Sequence, residues 1–128
     1  MAQQEKRTQP ESAETTPTRF VSVGEMRFAY RRFGNPSGIP LVLLQHYRGS
    51  MDNWDPALLN EFAKDRTVIT FDNAGVGFSS GEVPDTVAKM AQHALDFLDA
   101  LGLRQADLLG FSLGGYLAQH LTLLSTPV

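Results

Sequence analysis

The sequence predicts an α/β fold with a mostly parallel sheet, an antiparallel first pair of strands, and helices on both faces. Three observations support this fold class. Short runs of β-branched and aromatic residues alternate with segments whose apolar residues recur at helical spacing. Residues 39–45 are almost continuously apolar, as is typical of a strand buried on both faces. A Gly-x-Ser-x-Gly sequence at residues 110–114 separates the last predicted strand from the last predicted helix.

The first half of the predicted domain contains three strands and a short helix. Phe20–Val23 and Met26–Phe33 are joined by a glycine-containing pair that suits a tight hairpin. Ile39–Gln45 is the third strand and should be central in the sheet. A helix follows over Asp55–Lys64, with Pro56 in its first turn, where a missing N–H leaves no hydrogen bond unmade.

The second half continues the alternation of strand and helix. Thr67–Phe71 is a strand, and a helix beginning at Pro84 ends at Gly102, a typical helix stop. Its apolar stripe consists of Val87, Met90, Ala91, Ala94, Leu98 and Leu101. Gln105–Phe111 is the last strand, and Gly114–Leu124 repeats apolar residues at helical spacing.

The turn between that strand and that helix has the pattern of a nucleophile elbow. Ser112 stands at the apex of a sharp reversal, and Gly110 and Gly114 omit side chains that would collide there. The first amides of the following helix, beginning with Leu113, would point at an oxyanion formed beside the serine hydroxyl. The pattern therefore indicates acyl-transfer chemistry with Ser112 as nucleophile.

Two further motifs accompany the elbow. Gln45-His46-Tyr47-Arg48-Gly49-Ser50 follows the central strand and precedes Trp54, and Asp72-Asn73-Ala74-Gly75-Val76-Gly77-Phe78-Ser79 follows the next strand. With the elbow, they make residues 20–124 resemble the N-terminal part of the α/β-hydrolase superfamily. The first motif is similar to the family's H-G-x-x-G loop and the second to its D-x-x-G-x-G-x-S loop. The resemblance implies that the Tyr47 amide is a second oxyanion donor.

The resemblance also narrows the expected chemistry. Gln45-His46 replaces the usual His-Gly, a variant similar to that of esterase-like and cofactor-free haloperoxidase-like members. A serine at the elbow disfavours the dehalogenase and epoxide-hydrolase branches, which use aspartate. We therefore expect a serine hydrolase of a small ester, thioester or lactone, in small-molecule or secondary metabolism. No cofactor is expected.

The rest of the family's catalytic triad is missing. The family order is Ser, then Asp or Glu, then His, but only 16 residues follow Ser112 and none is acidic. His120 lies eight positions along the same predicted helix, about 12 Å away by the helical rise. His93 fits a surface position, and His46 does not occupy the family's base position. We therefore expect a truncated domain over residues 18–128, inactive or nearly so by itself, because a serine hydroxyl without a base is a weak nucleophile.

Other classes of function are less well supported. A non-catalytic remnant could associate with itself or a longer relative through the open edge of strand Gln105–Phe111. A dinucleotide site at Gly75–Ser80 is disfavoured because the next helix begins too late to meet a pyrophosphate. The net charge of −3 argues against nucleic acid, and the three histidines lack the spacing of metal ligands.

The termini and composition lead to two further expectations. Residues 1–17 are polar and rich in Gln, Glu, Thr, Ser and Pro, which predicts a disordered tail. There is no cysteine, signal peptide, apolar membrane span or sorting tripeptide in the sequence. We therefore expect a soluble cytoplasmic protein that does not contact a membrane.

Overall fold

Five strands form one mixed sheet in the computed structural model, which describes residues 11–45 and 49–125. In chain order they are β1 (Arg19–Val23), β2 (Met26–Gly34), β3 (Leu41–Leu44), β4 (Thr67–Phe71) and β5 (Asp107–Gly110). Their spatial order is β1-β2-β4-β3-β5. The β1–β2 and β2–β4 pairs are antiparallel, whereas β3 is parallel to both β4 and β5. β3 is therefore the middle of the three parallel strands. The sequence predicts a central position in the whole sheet, but among the five described strands that position belongs to β4.

Among the described residues, three α-helices and one 3-10 turn accompany these strands, and the last helix follows β5. The helices are α1 (Pro56–Ala63), α2 (Val87–Ala100) and α3 (Leu113–Ser125), and the turn is Met51–Asn53. α2 begins at Val87 rather than at Pro84, because the Thr86 side chain caps it by accepting the Lys89 N–H at 3.1 Å. The predicted fold class is confirmed.

Alternate residues of β3 face the two halves of the core. Val42 and Leu44 pack with α2 and α3, whereas Leu41 and Leu43 pack with α1. All four residues are buried, because α1 covers one face of the sheet and α2 and α3 cover the other. The larger half contains a stack of aromatic rings, in which Phe71 and Phe97 lie parallel with centroids 4.3 Å apart.

Residues 11–17 fall within the segment predicted to be a disordered tail, and the structure places them against α1 and β2. The Ala13 N–H donates to the Asn60 side chain at 2.8 Å, and Asn60 donates to the Glu14 carboxylate at 2.8 Å. That second hydrogen bond lowers the pKa of the exposed Glu14 carboxyl. The Thr16 hydroxyl, which is largely buried, donates to the Arg32 carbonyl at 3.3 Å. Residues 1–10 of the predicted tail lie outside the described residues.

The two faces of α3 differ enough in burial to allow a matched test of the core. Leu117 is fully buried, whereas Leu123 on the same helix is 78% exposed. We expect Leu117→Ala to lower the free energy of unfolding by about 3 kcal/mol, since it leaves a cavity. Leu123→Ala should change it by less than about 0.5 kcal/mol. Urea denaturation of both variants measures this difference, and similar losses would contradict the packing described.

Candidate active site

Ser112 occupies a strained turn between β5 and α3. Its φ of 59° is the only positive value for a non-glycine residue in the described part of the chain. Left-handed backbone is unfavourable for a residue with a Cβ, and such strain is typical of functional positions. The Ser112 side chain is exposed. The turn therefore presents the serine hydroxyl at the carboxyl end of the parallel strands.

The two glycines of the motif allow α3 to approach the sheet closely. A Cβ on Gly114 would overlap the carbonyl group of Leu44, at the end of β3. A Cβ on Gly110 would overlap the backbone of Gly114 itself. The Gly114 N–H donates to the Phe111 carbonyl and the Gly115 N–H to the Ser112 carbonyl, each at 2.9 Å. These bonds close the turn around Ser112.

The amide of Leu113 lies where the sequence places an oxyanion donor. Leu113 is the first residue of α3, and N–H groups in a first helical turn have no partner within the helix. The positive end of the helix dipole is at the same terminus. An anion formed beside the Ser112 hydroxyl would therefore meet a favourable field.

The other predicted oxyanion donor, Tyr47, lies outside the described residues, as does His46. The two ends of the loop that contains them are described. The Gln45 side chain is buried and donates to the Ser50 carbonyl at 2.7 Å. Ser50 then caps the 3-10 turn, with its hydroxyl accepting the Asp52 N–H at 3.2 Å. This connection between Gln45 and Ser50 draws the ends of the loop together.

Asp72 connects this loop to the glycine-rich loop that follows β4. Its side chain is only 1% exposed. One carboxylate oxygen accepts the Met51 N–H at 2.7 Å, and the other accepts the Phe78 N–H at 3.0 Å. Met51 and Asp72 are 21 residues apart, and no sequence pattern indicates that they would meet.

Trp54 links the same region to the turn at Ser112. Its ring meets the Phe111 ring edge-on, with centroids 6.4 Å apart. Trp54 is half-buried and packs against the smaller half of the core. This position fits a packing residue.

The structure does not bring a histidine on α2 or α3 into a base position. His120 is exposed on α3 and lines a groove of about 550 Å³ with Leu113 and Tyr116. His93 is half-buried on α2 and lines a different cleft, near the β1–β2 turn. Among the described residues no group of three or more His, Asp or Glu side chains is arranged to hold a metal ion.

Comparison with known proteins identifies the family. The family model described as alpha/beta hydrolase fold matches residues 39–127. The chain therefore belongs to the α/β hydrolase fold family, as its resemblance to that family implies.

Individual relatives agree with this assignment. The chain is 49% identical to an alpha/beta hydrolase fold protein from Chitinophaga pinensis, with a TM-score of 0.86, and the match covers 89% of this chain and 42% of that one. It is 36% identical over 104 residues to the dihydrolipoyllysine-residue acetyltransferase component of an acetoin cleaving system from Cupriavidus necator, covering 80% of this chain and 27% of that protein. It is 32% identical over 106 residues to the mouse palmitoyl-protein thioesterase ABHD10, covering 79% and 35% respectively.

The chain thus spans less than half the length of each of these three relatives. It corresponds to the N-terminal region of the fold. No helix within the described residues is both long and apolar enough to cross a membrane.

The backbone of Ser112 leads to a test of stored strain. Glycine tolerates a φ of 59°, whereas alanine shares the steric penalty of serine. We expect Ser112→Gly to be more stable than Ser112→Ala by about 1 kcal/mol. Thermal unfolding of the two variants measures the difference. Glu25, where φ is not positive, is the control position. There the Gly variant should not be more stable than the Ala variant. An equal gain in stability from glycine at both positions would argue against local strain at Ser112.

Proposed function

We propose that Ser112 is the nucleophile of a serine hydrolase that acts on a small ester, thioester or lactone. The observation that carries the proposal is the positive φ of an exposed serine at a strand-to-helix turn. This conformation is unfavourable for a residue with a Cβ, and it occurs directly before the first turn of α3, whose amides would face an oxyanion formed beside Ser112. The names of two relatives, a thioesterase and an acetyltransferase, both denote acyl chemistry.

The proposed reaction follows the order of acyl transfer. The Ser112 oxygen attacks the carbonyl carbon, and the carbonyl oxygen becomes an oxyanion held by the Leu113 and Tyr47 amides. A base from outside these 128 residues takes the Ser112 proton during the attack and gives it to the leaving alcohol or thiol. Collapse of the intermediate expels that group and leaves an acyl group on Ser112. Water then attacks the acyl-enzyme and releases the carboxylic acid, which regenerates the serine.

A general base is the missing component of this chain. No acidic residue follows Ser112, and His120 is exposed eight residues further along α3. In the proposed reaction the triad acid and base come from outside these 128 residues. The chain alone should then react slowly, because its hydroxyl is oriented but not activated.

This reasoning predicts a distinctive labelling pattern. A fluorophosphonate probe should label the purified chain slowly and only at Ser112, and added imidazole should accelerate the labelling by acting as an external base. Ser112→Ala should abolish labelling. Ser37→Ala, which removes another exposed serine, should leave it unchanged. Mass spectrometry of the intact protein measures the rate, and labelling that persists in Ser112→Ala would contradict the proposal.

A second candidate function is association through the edge of the sheet. Within the described residues β5 pairs with β3 alone. The Asp107 amide donates to the Pro40 carbonyl just before β3, and the Phe111 amide donates to the Leu44 carbonyl at the end of β3. The Leu108 and Gly110 amides therefore point to the open side. The large apolar side chain of Phe111, which directly follows β5, is also exposed. An open, apolar edge is a template for pairing with a second copy or a longer relative.

Proline at one edge position tests this candidate. Leu108→Pro removes an amide that faces the open side and leaves the hydrogen bonds to β3 in place. If copies pair through β5, the variant should be monomeric at concentrations where the unmodified chain dimerises. Sedimentation velocity measures the distribution. Dimers that survive Leu108→Pro, or an unmodified chain that is monomeric throughout, would exclude pairing through this edge.

A further inference from the structure

We propose that Asp72 is a positioning residue that joins the glycine-rich loop to the described end of the oxyanion loop, so that the two loops hold one geometry beside Ser112. The oxyanion loop is the segment from the end of β3 up to and including Met51, the first residue of the 3-10 turn, and the glycine-rich loop is the segment between β4 and α2. The relevance to catalysis rests on the proposed function of Ser112. The coupling itself rests on contacts that do not involve Ser112.

The first argument is the burial of the Asp72 carboxylate. A carboxylate that is 1% exposed must have hydrogen-bond partners, because an unpaired buried charge is strongly unfavourable. None of the ion pairs between described residues includes Asp72. Its hydrogen bonds come from the backbone of Met51 in one loop and Phe78 in the other. Displacing either loop would therefore leave a carboxylate oxygen without that partner.

The second argument is that Asp72 is itself held rigidly. Its N–H donates to the Ala29 carbonyl in β2 at 3.0 Å. Its carbonyl accepts the Ser79 hydroxyl at 2.7 Å, and the Ser79 oxygen accepts the Ala29 N–H at 2.9 Å. Asp72 thus remains attached to the sheet at the end of β4, and its side chain is a fixed point for both loops.

The third argument comes from the close approach of the glycine-rich loop. Gly77 has a φ of +56°, and a Cβ there would overlap the Asp72 carboxylate. The loop therefore passes directly over the carboxylate, and a change at Gly77 displaces the group that also holds Met51. Gln45 holds the other end of the oxyanion loop through its bond to Ser50. Both ends of the segment expected to contain the Tyr47 donor are then fixed.

Substitution in one loop and measurement in the other test this coupling. Gly77→Ala should raise the hydrogen-exchange rate of the Met51 amide by about tenfold, because it displaces the carboxylate that accepts this amide. The rate is measured by NMR relative to the Leu59 amide in α1, so that global opening cancels. Gly24→Ala is the matched control: it has a similar φ of +60°, with nothing within 4 Å of the added Cβ, and should leave the ratio unchanged.

The carboxylate is then removed to show that it transmits the effect. In an Asp72→Ala background, Gly77→Ala should produce no further rise in the ratio of the Met51 exchange rate to the Leu59 exchange rate. If Asp72→Ala does not fold, Asp72→Asn serves instead, and the effect of Gly77→Ala should be reduced in that background. Equal Met51 ratios in Gly77→Ala and Gly24→Ala would overturn the proposal. So would a Gly77→Ala effect of the same size with and without the carboxylate.

Labelling of Ser112 separates this inference from the proposed function. If the unmodified chain shows no Ser112-dependent labelling, the proposed function fails, while the exchange ratios still decide whether Asp72 couples the loops. If labelling occurs, Asp72→Asn should slow it by about tenfold through misplacement of the oxyanion loop. Thr67→Val, which removes a partly buried hydrogen bond at the opposite end of β4, should not slow the labelling. Equal labelling in both variants would overturn the positioning role.

Discussion

The close contact between the first turn of α3 and the end of β3 is the constraint on which the site depends. Gly114 lies against the Leu44 carbonyl with no space for a Cβ. The Phe111 N–H donates to the same carbonyl at 3.1 Å, so β5 remains paired to β3 until the residue before Ser112. The chain must then reverse within one residue. The positive φ of Ser112 is the geometric result of this reversal.

The same constraint gathers the other functional segments at one edge of the sheet. β3 and β4 are parallel to β5, so the loops that follow all three strands leave from the carboxyl edge. Gln45 follows β3, Asp72 follows β4 and Ser112 follows β5. Residues that are far apart in the sequence, such as Met51 and Asp72, are thereby brought into contact.

The hydrogen bonding of β3 explains why its predicted length and its observed length differ. The apolar run extends over residues 39–45, but pairing to both neighbours is confined to Leu41–Leu44. Pro40 has no N–H to donate, and its carbonyl accepts the Asp107 N–H at 2.9 Å, just before the strand begins. Gln45 is buried at the other end through its side-chain bond to Ser50. Local hydropathy therefore predicted the strand, whereas hydrogen bonding to its neighbours determined its ends.

The sequence by itself determined the fold class, the order of elements and the glycine–serine pattern at residues 110–114, because these follow from apolar periodicity and from residues with special backbone freedom. Both kinds of signal are local and can be read within a short window. The order of the strands, the contact of residues 11–17 with α1, and the reach of Asp72 to Met51 were decided only by the tertiary structure. Each depends on segments distant in sequence meeting in space, and a buried carboxylate can satisfy its oxygens with any backbone amide that packing brings within reach.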